Sequence, residues 1–212
     1  MIAIEHINTL VSSPWVMWLM FALLLLFVAA NIYQPKIMRT AWVMSFKRTD
    51  RVYNDSAMVS TDSLALRLFC LATAALSWDV FFYDGGVFPF TRYILIMGCV
   101  FVWYLVRWGI RELLSVMLKL KRYGFPKGFM ISLSLILCTA LYGLNLGAVL
   151  TNGNYVWRMA MIVIVVFWLV VLFVKHLMFF VHNWKSLLLF LAYWLVVEVG
   201  SLFSLFLLVR IV

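Results

Sequence analysis

Read in windows of about twenty residues, the chain passes six times through a long apolar run bounded by a short polar one. The runs cover about 15–33, 64–83, 93–114, 129–150, 157–174 and 187–209. Each is about the length a helix needs to cross the hydrocarbon core, so the pattern predicts an all-α, polytopic transmembrane bundle of about six spans, forming one integral-membrane domain over residues 1–212. Trp15, Trp18, Tyr33, Tyr83, Tyr93, Tyr155, Trp157 and Trp184 stand near the expected span ends, where amphipathic rings favour the headgroup level.

The polar runs differ from one another. Those at 84–92 and 151–155 are short and turn-rich, too small for a folded domain. Residues 36–48 place Ile37, Met38, Ala41, Trp42 and Met44 or Ser45 near one helical face with Lys36, Arg39, Lys47 and Arg48 at its margins. Such a helix is expected to lie in the interface, its apolar face in the acyl region and its basic groups on anionic headgroups. Arg107 to Arg122 continues the third span past the membrane, since Ile110, Leu113, Leu114, Met117 and Leu118 recur at three and four residues until Gly124 and Pro126 stop it. Thr49 to Ser63 is the most polar stretch and is expected to be a solvated loop, with Asp62 or Ser63 capping the second span.

Composition agrees with the pattern. Of 212 residues 67% are hydrophobic and 12% charged, against about 25% charged in a soluble domain. One water-soluble globule is thereby excluded, and the 18 Phe, 10 Trp and 9 Tyr exclude a disordered chain.

The net charge of +9 takes its meaning from placement. Fourteen of the seventeen Lys and Arg fall on one side of the expected spans, among them Lys36, Arg39, Lys47, Arg48, Arg107, Arg111, Lys119, Lys121 and Arg122; Arg92, Arg158 and Arg210 fall on the other. The positive-inside rule makes the rich side cytoplasmic and puts both termini outside. Residues 1–14 carry no Lys or Arg, so the first span reads as a retained helix rather than a secretory signal. The basic face is expected to hold anionic lipid headgroups or an acidic region of another membrane protein. Nucleic acid is not an expected partner, because the charge is accounted for by orientation.

Ionisable groups at membrane depth are costly and mark candidate sites. Glu198 is the clearest, about 12 residues into the last span and so roughly 18 Å deep. Its carboxyl is expected to be neutral or matched to a partner, and Thr139 and Tyr142 lie at a similar depth as candidate donors. Asp79 is expected in the wet outer third of the second span, and Asn145 as a hydrogen bond between helices. Arg67 and Arg107 are expected to reach the cytoplasmic headgroups, with Glu112 or a lipid phosphate as a second possibility for Arg107. Gly143 and Gly147 form a small-xxx-small pair for close helix approach. Cys70, Cys99 and Cys138, one per span and without CxxC spacing, read as apolar filler. His176 and His182 are six apart and so do not share a face as metal ligands would. Neither HExxH, GxSxG nor a phosphate-cradling glycine loop occurs, so no catalytic residue, metal ligand or cofactor is expected.

The first cytoplasmic loop, closing on Tyr53-Asn54-Asp55-Ser56, the basic turn before the fourth span, and the lone glutamate in Glu198-Val199-Gly200 together resemble an uncharacterised family of polytopic inner-membrane proteins of the Bacteroidota, known as a domain of unknown function. The likeness extends over nearly the whole chain. In that family the glutamate is followed by a hydrophobic residue and then Ala-Pro, where this chain has Gly200-Ser201. The resemblance implies a bacterial cytoplasmic membrane and brings no reaction or cofactor. Two functions are therefore expected in turn: a non-catalytic scaffold or assembly subunit of a membrane complex, or a small proton- or ion-coupled transporter or channel using Glu198.

Overall fold

The computed structural model describes residues 13–34, 37–46, 64–82, 89–117, 127–151, 154–180, 191 and 194–211. All ordered elements among them are helices: α1 (Pro14–Tyr33), α2 (Ile37–Phe46), α3 (Leu64–Phe81), α4 (Phe90–Met117), α5 (Lys127–Leu150), α6 (Tyr155–Phe180) and α7 (Ser201–Ile211), the last preceded by a π-helical turn, Trp194–Gly200. The protein is an all-α bundle, and α1, α3, α4, α5 and α6 are long and apolar enough to cross a bilayer. The expected sixth span, 187–209, is described from residue 194 onward apart from Leu191, as a shorter apolar run from Trp194 to Leu207.

Local chemistry sets the ends. Pro14 opens α1, where its missing N–H costs nothing, and the Gln34 N–H closes it on Ala30 O at 3.0 Å. Between α5 and α6, Asn154 accepts from the Val156 N–H at 3.2 Å and satisfies one of the first free amides of α6. A Cβ on Gly147 would come within 2.7 Å of the Trp157 ring, so glycine is what lets this indole close the α5–α6 hairpin. Gly143 meets nothing within 4 Å among the described residues, so there only one half of the expected small-residue pair receives a neighbour.

Helix α3 lies at the centre, packed against α1, α4 and α5. Its Leu76 and Val80 are buried with Val16 of α1, Ile96 of α4, Val149 of α5 and Leu205 of α7. The rest of the apolar surface turns outward, as on α6, where Val163, Val166, Phe167 and Val170 are exposed. That is the surface a bilayer covers.

One expectation about the periphery changes, and another gains detail. Tyr93, in the first turn of α4, is buried, packs on Trp15 at 5.5 Å and donates from its hydroxyl to Ala72 O at 3.4 Å. Helix α2 does not give its whole apolar face to lipid. Ile37, Ala41 and Ser45, spaced four apart, are buried in a seam along α5, while the Trp42 and Phe46 rings meet at a tilt, 4.5 Å between centres, on the exposed side. An amphipathic stripe can be satisfied by lipid or by protein, and here Ile37, Ala41 and Ser45 face protein and the aromatic residues face out.

The direction of α7 follows from its two ends. Glu198 meets Arg107 in the second half of α4, whereas Phe206 packs on Phe82 at 5.5 Å, just past the end of α3. Helix α7 therefore runs antiparallel to α4 and in the direction of α3.

Candidate intramembrane site

Within the π turn, Val197 and Glu198 are the buried residues. An i to i+5 turn inserts one residue into the helical register and frees carbonyls that an α-helix would bond. The Ser201 hydroxyl donates to Val197 O and, at 3.3 Å, to Glu198 O. Ser204 donates to Gly200 O at 2.8 Å. A distortion of the terminal helix is thus made without proline, by a π turn whose carbonyls are answered by Ser201 and Ser204. Gly200 contributes by its size, since a Cβ there would press on Leu195 O at 3.2 Å.

The turn delivers Glu198 to α4, where its Oε2 accepts from Nη2 of Arg107. The carboxylate side chain is 1% exposed and the guanidinium side chain 13%. The Arg107 guanidinium also lies 5.2 Å from the ring centre of Trp103, one turn earlier on α4, and 5.8 Å from that of Trp168 on α6. Phe173 of α6 packs edge-on against Trp194 at 4.9 Å and fastens the start of the π turn. Opposite charge, two indole faces and a low dielectric make this a site where neither charge has to be given to lipid. Oε1 of Glu198 and the Trp103, Trp168 and Trp194 indole N–H groups are buried and find no hydrogen-bond partner among the described residues.

The expected partners of Glu198 are elsewhere. Thr139 donates to Leu135 O at 2.8 Å and lies 4.0 Å from Met38 Sδ; Tyr142 donates to Met20 O at 3.0 Å. Both side chains stand on α5, which packs against α2, α3 and α6, whereas Glu198 faces α4. Arg107 in turn holds Glu198 rather than only reaching for headgroups.

A second ion pair lies on α4. Asp79 of α3 is fully buried, not wet, and its Oδ1 is 3.4 Å from Nε of Arg92. Arg92 and Arg107 are fifteen residues apart, about 22 Å along the helix and within about 60° of the same face. Each is thus met by a carboxylate from a different neighbour of α4. Between α3 and α5, Asn145 donates to Ser77 Oγ at 2.9 Å and to Thr73 O at 3.4 Å, and Ser77 donates to Thr73 O at 2.9 Å.

Of the basic face, Arg39 is exposed on α2, and Arg111 lies in α4. Lys36, Lys47, Arg48, Lys119, Lys121, Arg122, the loop 49–63 and His182 lie outside the described residues. No group of three or more His, Cys, Asp or Glu able to hold a metal ion occurs among the described residues.

Compared with protein families, curated proteins and solved structures, the chain matches none.

Proposed function

We propose that this multi-pass membrane protein is a non-catalytic scaffold or assembly subunit of a membrane complex. In this reading it resides in a bacterial cytoplasmic membrane with both termini outside, and its basic cytoplasmic side grips anionic headgroups or an acidic partner. The Arg107–Glu198 pair carries the reading. A carboxylate matched to a guanidinium between two indoles has its charge compensated in place, which suits a clamp between α4 and the terminal segment. Asp79–Arg92 and the Thr73, Ser77 and Asn145 cluster use further buried polar groups in the same way, to join helices.

One observation favours a second reading, a small proton- or ion-coupled transporter or channel. Glu198 Oε1 has no hydrogen-bond partner among the described residues and sits in a π turn, a distortion frequent at functional sites.

Crosslinking in native membranes followed by purification tests the first reading. A reproducible stoichiometric partner is expected; recovery of the chain alone as a monomer overturns it. Glu198→Gln separates the two readings, because the amide oxygen still accepts from Arg107. Retained partner binding and normal abundance fit the clamp, whereas a stable protein that loses all activity fits the transporter.

A further inference from the structure

Cys70 and Cys138 are 68 residues apart in sequence and meet at the α3–α5 seam. The Cys138 thiol donates to Cys70 O at 3.5 Å, so its sulfur reaches across the seam to the residue that carries the second thiol. The two are not equivalent: Cys138 is buried, while Cys70 is half-exposed. Leu66, Phe69 and Leu135 pack around them. Cys99 stands on α4 and is not part of this cluster.

We propose that Cys70 and Cys138 form a redox-sensitive thiol pair that closes to a disulfide and locks α3 to α5. The difference in exposure assigns the roles. Cys70, the more exposed of the two, adds to the oxidant; Cys138, shielded beside it, resolves the adduct. The oxidant is a lipid-soluble two-electron, two-proton acceptor of the quinone class. Two S–H bonds break and one S–S bond forms. Both electrons and both protons pass to the acceptor, which leaves as the quinol. The product is neutral, which suits the apolar seam, whereas a thiolate pair holding a soft metal ion would leave charge there. The lock fastens two helices that most of the bundle packs on.

Thiol counting on the full chain in membranes tests this. Membranes are treated with diamide, a two-electron thiol oxidant that is itself reduced to the hydrazine, or with a short-chain quinone. The protein is then denatured and labelled with a maleimide that adds mass at each free thiol. All three cysteines label in the untreated protein. After oxidation one label per chain is expected, on Cys99, with the other two restored by dithiothreitol and a peptide joining Cys70 to Cys138 found by mass spectrometry. Cys70→Ser and Cys138→Ser should each retain two labelled thiols after the same treatment. Three labels in the oxidised wild type, loss of Cys70 alone, or dimers joined through Cys99 would overturn the proposal. The wild-type count decides the matter even if a serine variant fails to fold.

Discussion

Arg107 and Glu198, separated by 91 residues in the chain, meet as an ion pair between α4 and the π turn that precedes α7. Their escape routes differ. Arg107 has a long stem and stands nearer the end of α4 that leads to the basic connection, so without Glu198 it can extend toward headgroups. Glu198 has no such reach. Arg107→Met should therefore destabilise the bundle more than Glu198→Leu, with the larger loss about 3–5 kcal/mol, while the double variant should return to within about 1–2 kcal/mol of wild type. Reversible unfolding in detergent, arranged as a double-mutant cycle, checks this; additive losses would show that the two charges are not coupled.

Gly147 and Gly143 should respond oppositely to alanine. At Gly147 the added methyl meets the Trp157 ring at 2.7 Å, so Gly147→Ala should cost about 1–3 kcal/mol and be partly relieved by Trp157→Leu. At Gly143 nothing lies within 4 Å, and Gly143→Ala should be neutral or stabilising by about 0.5–1 kcal/mol, because glycine weakens a helix interior. Thermal denaturation of the three variants is the measurement, and equal losses at the two glycines would refute the assignment of Trp157 to Gly147 alone.

The positions of the helices were legible in hydropathy because lipid enforces long apolar runs. The runs expected at 15–33 and 129–150 differ from Pro14–Tyr33 and Lys127–Leu150 by only one or two residues. Partners were harder to read. Depth along a span can be counted, which made Thr139 and Tyr142 plausible for Glu198, but the azimuth of each helix depends on packing between segments distant in sequence. Asp79 departs from expectation for the same reason: its distance from the span end is small, yet it faces inward, toward Arg92. The docking of α2 on α5 was hidden because an amphipathic pattern does not say whether lipid or protein meets the apolar face. A Trp at i−4 from Arg107 was the one local signal at the site, since that spacing sets an indole beside a guanidinium on a helix.

Asn145 should matter modestly despite its complete burial. It donates to Ser77 Oγ and Thr73 O, but hydrogen bonds between membrane helices average about 0.6 kcal/mol and rarely exceed about 1.7 kcal/mol. Asn145→Ala should fall in that range. Ser77→Ala should cost less, because Thr73 O remains as an acceptor for Asn145. Unfolding free energies for both variants and their double provide the check; a loss several times larger at Asn145 would point to a role beyond joining α3 to α5.

The proposed orientation makes the connection between α3 and α4 external and that between α4 and α5 cytoplasmic. The charge asymmetry that motivates it lies chiefly in connecting segments, with Arg107 and Arg111 continuing it along α4. A periplasm-active phosphatase fused after Phe88 should be active, and the same enzyme fused after Lys121 inactive; a fluorescent reporter that matures only in the cytoplasm should give the reverse. The direction of α7 adds a third point. Because α7 runs as α3 does, a reporter fused after Val212 should behave like the one after Phe88. A cytoplasmic reading at Val212 together with an external one at Phe88 would mean that the terminal segment turns back on itself instead of crossing, and Arg107–Glu198 would then be the anchor of a re-entrant helix rather than a clamp on a sixth span.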